Sequence, residues 1–246
     1  MESFGMSIAA AFLGSDHRVG TSMLCQSAAE YIAEKYPEKN VLIFHAEGSM
    51  GTEYSPEASE SITQIRPYLT QELIDAESIC AKAKWKRNIY VIAGPDVPGK
   101  SSEFFPGMSE YLIMALKKRF DYILCDCGAD IEHGLTLGAL DASDKIYMVI
   151  NQSEHAVRRF EWTRPLYGFL GLNPDGIVVN MFERSSPYSM AYIKSRLGLE
   201  ETPVYPVKRS SDGQKAETDG KSLYRLGDRG FCKAVALLAG DIVNEF

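Results

Sequence analysis

Nine consecutive residues, Gly14-Ser15-Asp16-His17-Arg18-Val19-Gly20-Thr21-Ser22, make a small polar loop between an apolar run and an amphipathic one. A loop in that position points backbone N–H groups and the positive end of the following helix at an anion, so phosphate is the ligand such a turn suits. Gly20 supplies the tight turn, and Ser22 stands where a hydroxyl would hold Mg²⁺ beside the phosphates. The same residues also read as an ordinary strand-to-helix turn. His17, His45 and Asp126 fall at the ends of predicted strands. A shared sheet edge would bring them together, although two histidines far apart in sequence are a poor metal signature. Cys125 and Cys127 flank Asp126 with strand alternation and face one side, a pattern of core packing rather than redox chemistry.

The elements that must position these groups follow from periodicity. Short β-branched and apolar runs at 7–13, 40–44, 88–93, 121–126, 145–150, 176–181 and 204–206 read as strands. Between them, helical spacing predicts a helix after the Gly loop, with Leu24, Ala28, Tyr31 and Ile32 on one face. Further helices are predicted over 69–84, 109–120, 154–170, 189–197 and 230–244. This alternation predicts an α/β fold of three layers, α/β/α, around a mostly parallel sheet of about seven strands. Residues 1–246 carry no repeat or linker and read as one domain.

Composition bounds the function class. The chain is 45% hydrophobic and 24% charged, as a packed globular protein is, and its net charge of −7 argues against direct nucleic-acid binding. The five cysteines are odd in number and scattered through apolar segments, which predicts reduced thiols and a cytoplasmic protein. Glu2 stands where a secretory leader needs basic residues, and no apolar run reaches the roughly 18 residues of a membrane span. The run Arg158, Arg159 and Arg164 reads either as a basic docking face or as a solvated helix balanced by Glu154 and Glu161.

Further along, the chain carries Asp121-Tyr122-Ile123-Leu124-Cys125-Asp126, Leu140-Asp141-Ala142-Ser143-Asp144-Lys145-Ile146, Val178-Val179-Asn180-Met181-Phe182, Tyr205-Pro206-Val207 and Gly220-Lys221-Ser222-Leu223. In that order behind the Gly loop, they resemble the MinD/ParA group of P-loop ATPases, of the SIMIBI type. The resemblance implies ATP or ADP with Mg²⁺, the phosphates on residues 14–22 and the adenine near Asn180, Pro206 and Val207. It also implies a metal held on the side of Ser22 and Asp126. A homodimer acting as a positioning or assembly factor follows from the same likeness. The segments 89–95 and 135–159 are most similar to Tad/Cpa-type pilus-localisation ATPases, whose partners are pilus or secretion proteins that recruit them to the membrane or pole.

The departures from that family concern mechanism. Thr21 stands where the phosphate-gripping lysine belongs, and Asp16 where a second, dimer-spanning lysine belongs, which adds repulsion to the loop. His45 and Glu47 replace two aspartates, the first of which orients the attacking water. The catalytic set implied by the likeness is therefore His45, Glu47 and Asp126, with Arg18 as the one cation left in the loop. Phosphoryl transfer depends on positioning and electrostatics, so weak or absent hydrolysis is expected. A scaffold that binds no nucleotide and a working partition-type ATPase are the alternatives.

Overall fold

A computed structural model describes residues 7–58 and 60–244. In chain order, β1 (Ile8–Gly14) leads through the Gly loop to α1 (Thr21–Lys35) and β2 (Val41–His45). There follow α2 (Ile62–Thr70), α3 (Ala76–Ala83), β3 (Lys84–Lys86), β4 (Ile89–Ile92), α4 (Pro106–Leu116) and β5 (Tyr122–Asp126). Next come α5 (Gly134–Asp141), β6 (Lys145–Asn151), α6 (Glu154–Phe169), β7 (Gly176–Phe182) and α7 (Met190–Leu197). The chain closes with β8 (Val204–Lys208), α8 (Gly213–Asp219), α9 (Leu223–Leu226) and α10 (Arg229–Ile242).

The strands form one sheet in the order β3-β4-β2-β5-β1-β6-β7-β8. Every neighbouring pair is parallel except β3 with β4. The eighth strand is the correction to the sequence expectation. Lys84-Trp85-Lys86 does not end a helix but turns back as a short antiparallel edge. The single helix predicted over 69–84 is in fact two. Ser61 and Gln64 form a capping box that starts α2 upstream, and the Asp75 carboxylate accepts from the Glu77 N–H to start α3 afresh.

The buried strands read as continuous apolar runs because helices cover both faces. Alternation along β2 sorts them. Leu42 and Phe44 join Ile92, Ile113, Phe120 and Met148 on one face, whereas Val41 and Ile43 join Phe12, Leu24, Tyr147 and Leu238 on the other. Helices α2 to α7 contribute to the first layer and α1, α9 and α10 to the second. Three layers result, as the alternation of elements predicts.

Parallel pairing aligns the carboxyl ends of the strands, and this places the site. His45 is the register partner of Asp126, Gly14 of Val149, and Asn151 of Asn180. Residues far apart in sequence thus meet along one edge, where ligands of open α/β sheets bind. No helix among the described residues is long and apolar enough to cross a membrane.

Candidate functional site

The loop leaves β1 under tight backbone control. The Gly14 N–H donates to the Gly128 carbonyl at 2.7 Å and the Ser15 N–H to the Val149 carbonyl at 2.8 Å, fixing its start between the ends of β5 and β6. Arg18 and Gly20 both take positive φ, 60° and 90°, so the chain reverses and enters α1 at Thr21. Gly20 is required twice over. Its left-handed backbone suits glycine, and a Cβ there would lie 2.2 Å from Asn180 Nδ2. That amide nitrogen donates to the Val19 carbonyl at 2.8 Å, pinning the loop to β7. No side chain caps α1, and its first turn holds no acidic residue. The unpaired N–H groups and the positive end of this helix of 15 residues remain available to an anion.

The loop forms one wall of a cleft of about 1170 Å³, ample for a nucleotide. Asp16, His17, Arg18, Gly20, Thr21, Ser22, Glu47 and Asn180, all anticipated from the sequence, line it. Gly14, Ser15 and Val19 are buried behind the loop. Val207 is buried in the core and Pro206 is exposed. The residues just after them, Lys208, Arg209, Ser210 and Ser211, line the cleft instead.

His45, Glu47 and Asp126 come together behind that cleft, with one potential ligand atom from each within 4.8 Å of the others. The His45 Nδ1 lies 3.2 Å from Asp126 Oδ2, and both side chains are buried. Asp126 Oδ1 also accepts from the Gly128 N–H at 3.3 Å. Glu47 is half-buried and reaches the cleft. Burial first, and then the nearby charges of Asp126 and Glu53, push its carboxyl up to about 8. His45 Nε2 and Ser15 Oγ are buried without a hydrogen-bond partner. The trio His17, His45 and Asp126 considered from the sequence does not assemble. His17 projects outward and its Nε2 lies 3.5 Å from Asp130, so Glu47 takes its place.

Asp16 does not stand in the loop as a bare charge. Its Oδ1 accepts from the His17 N–H at 2.9 Å and lies 3.4 Å from Arg159, and its Oδ2 pairs with His155. Arg159 reaches on to Asp130 at 3.2 Å. Helix α6 is thereby clamped to the loop. The other arginines of α6 also act within the chain: Arg158 pairs with Glu154 at 2.6 Å, and Arg164 donates to the Leu197 carbonyl at 2.6 Å, at the end of α7.

Sequence reasoning passed over Asp130, His155, Lys208 and Arg209, and it read Arg159 as a docking or solvated arginine rather than as the partner of Asp16 and Asp130. Two signals were present. His155 and Arg159 sit four apart on one helical face, and Asp130 follows a strand end within the short segment Cys127-Gly128-Ala129-Asp130.

The sequence matches no family model and no curated protein. Solved structures do match. A ParA family ATPase from Chlorobium tepidum TLS superposes with a TM-score of 0.82 at 18% identity, covering 95% of this chain and 97% of its own. The cell division ATPase MinD of Pyrococcus furiosus gives 0.77 at 16%, covering 98% and 100%. The septum site-determining protein MinD of Pyrococcus horikoshii OT3, complexed with Mg-ADP, gives 0.75 at 14%, with 96% of both chains covered. The chain has the three-layer α/β/α fold of the ParA and MinD P-loop ATPases, and residues 14–22 lie at the carboxyl edge of its sheet.

Proposed function

We propose that this chain is an ATP- and ADP-binding positioning or assembly factor, working as a cytoplasmic homodimer with weak or no hydrolysis. All of residues 1–246 would serve as its nucleotide-binding domain. The observation that carries the reading is the loop itself. It opens the uncapped N-terminus of α1 into a cleft large enough for a nucleotide, at the edge where such folds bind ligands.

The residues present fit a Mg-nucleotide in donor chemistry. The backbone N–H groups at Gly20, Thr21 and Ser22 would hold the phosphates, with Arg18 as the loop cation and Lys208 as a second cation in the cleft lining. The Ser22 hydroxyl, with Asp126 buried behind the cleft, would hold Mg²⁺, which when bound neutralises phosphate charge. Asn180 and the residues after Val207 would face the base. The Mg-ADP held by the Pyrococcus horikoshii protein supports this arrangement.

Slow turnover follows from three facts. The loop has no lysine. His45 is buried against Asp126 rather than aimed into the cleft, so it cannot orient a water there. Glu47 does reach the cleft, but with its carboxyl pushed up to about 8 it is protonated at neutral pH and a poor base. The working output would then be a nucleotide-dependent surface read by protein partners, those of a pilus or secretion machine being the leading candidates. Membrane or polar recruitment would come through them.

One observation favours a second reading, a scaffold that binds no nucleotide: Asp16 already ties the loop to α6. Thermal denaturation with and without Mg-ATP or Mg-ADP separates the two. A ligand at about 100 times its Kd stabilises the native state by ~2.7 kcal/mol, a rise of several degrees in Tm. An unchanged Tm at millimolar nucleotide would remove the ATP reading and leave the scaffold.

A further inference from the structure

We infer that His45, Glu47 and Asp126 form a binding site for one divalent transition-metal ion of the zinc and cobalt class, occupied without nucleotide. The inference goes beyond the nucleotide reading and does not depend on it, since every ligand comes from the protein.

The donor set is one imidazole nitrogen and two carboxylates, with ligand atoms within 4.8 Å of one another. Two of the ligands are carried by adjacent parallel strands. His45 ends β2 and Asp126 ends β5, and the two are register partners, so their spacing is held by the sheet. Their facing atoms are 3.2 Å apart. Two ligands bonded at about 2.0 Å to one tetrahedral ion are separated by roughly 3.3 Å, so the pair already has the bite of a metal site.

Independent features of the surroundings point to a cation. His45 is 2% exposed, and the ring nitrogen that faces Asp126 is also the one a Gly51 Cβ would touch beside Glu47, so Nδ1 is directed into the site. The charged groups that act on Glu47 are Asp126, Glu53 and Asp130, all acidic. Burying carboxylates side by side is unfavourable unless one takes up a proton or a positive charge stands between them, and a bound metal would displace the proton that Glu47 otherwise holds. The backbone keeps that point clear. Gly51 has φ +69°, and a Cβ on it would come within 2.6 Å of His45 Nδ1 and 2.7 Å of Glu47 Oε1. Any other residue would fill the space between the two ligand atoms.

The class of metal follows from the nitrogen. Mg²⁺ takes oxygen ligands in a near-ideal octahedron and keeps several waters, whereas imidazole with carboxylates suits zinc and its neighbours. Three protein ligands also leave a position open, and Glu47 directs that side toward the cleft.

The test uses the full chain, stripped with a chelator, dialysed and free of nucleotide, titrated with Co²⁺ and followed by visible absorption. The expected result is ligand-field bands that saturate at one ion per chain, are abolished by an equivalent of Zn²⁺ and persist in a thousandfold excess of Mg²⁺. His45→Ala should abolish the bands and Glu47→Gln should weaken Co²⁺ binding at least tenfold. If circular dichroism finds His45→Ala unfolded, Glu47→Gln, at the cleft wall, decides. Absence of bands overturns the inference, as does affinity unchanged in Glu47→Gln. Thiolate-to-cobalt charge-transfer bands overturn it too, by assigning the ion to cysteine, and so do bands that need added ATP, by assigning it to the nucleotide. A failed Tm shift with Mg-ATP would leave this site standing, and a failed cobalt titration would leave nucleotide binding standing.

Discussion

The Asn180 side-chain nitrogen lies 2.8 Å from the Val19 carbonyl oxygen, joining the end of β7 to the loop of residues 14–22 across 161 positions of sequence. The amide is buried, so the bond fixes the loop without competition from water. Asn180→Ala should destabilise the protein by about 1–3 kcal/mol, the cost of an unpaired buried carbonyl plus a small void. Denaturant unfolding measures this, and weaker ATP binding should accompany it because the loop loses its anchor.

Gly20→Ala should be at least as damaging. The new methyl would meet Asn180 Nδ2 at 2.2 Å, and alanine at φ +90° adds backbone strain of about 1–2 kcal/mol. With Asn180→Ala already in place the steric part disappears. The double variant should therefore lose less stability than the sum of the singles, and a double-mutant cycle in urea reads the difference.

Glu47 sets a pH dependence. Its carboxyl rises from an ordinary 4.5 to about 8 on folding, so the native state holds a proton that the unfolded chain releases. Stability from this group is full below pH 4.5, falls between 4.5 and 8, and levels off above that. Glu47→Gln, which stays neutral, should match the parent at pH 4.5 and exceed it by on the order of 1–2 kcal/mol at pH 8.5. Solvent at the cleft limits the gain. Urea titrations with a chelator present, at both pH values, test it. Equal stability of the two proteins at the higher pH would rule out the shift.

Thr21 lines the cleft at the first residue of α1, and Thr21→Lys places an ammonium at the wall where the proposed phosphates would sit. One charge-assisted hydrogen bond contributes about 1.5–3 kcal/mol, so ATP should bind at least tenfold tighter by calorimetry. Asp16→Lys behaves differently. The new cation would face Arg159 and His155, which now share the Asp16 carboxylate, and Tm should fall. A lysine at position 16 therefore requires Arg159→Ala as well, and that pair of changes should recover most of the lost Tm.

Much of the fold was legible in the sequence. Seven of the eight strands stand where apolar runs predicted them, because a strand buried on both faces must be continuously apolar and its flanking helices must be amphipathic. The edge strand β3 was not legible. Three residues with one apolar side chain carry no period, and only pairing with β4 makes Lys84–Lys86 a strand.

The site divides in the same way. The amino-acid sequence by itself determined that a Gly-containing loop lies between β1 and α1, that it lacks lysine, that His45 and Asp126 end strands, and that Glu47 follows one. Those are properties of residue type and of short-range spacing. The tertiary structure alone decided which charges meet. Asp16 finds His155 and Arg159 at separations of 139 and 143 positions, and His45 finds Asp126 at 81. Such pairs depend on strand order and register in the sheet, which arise from packing the whole chain and leave no trace in any local pattern.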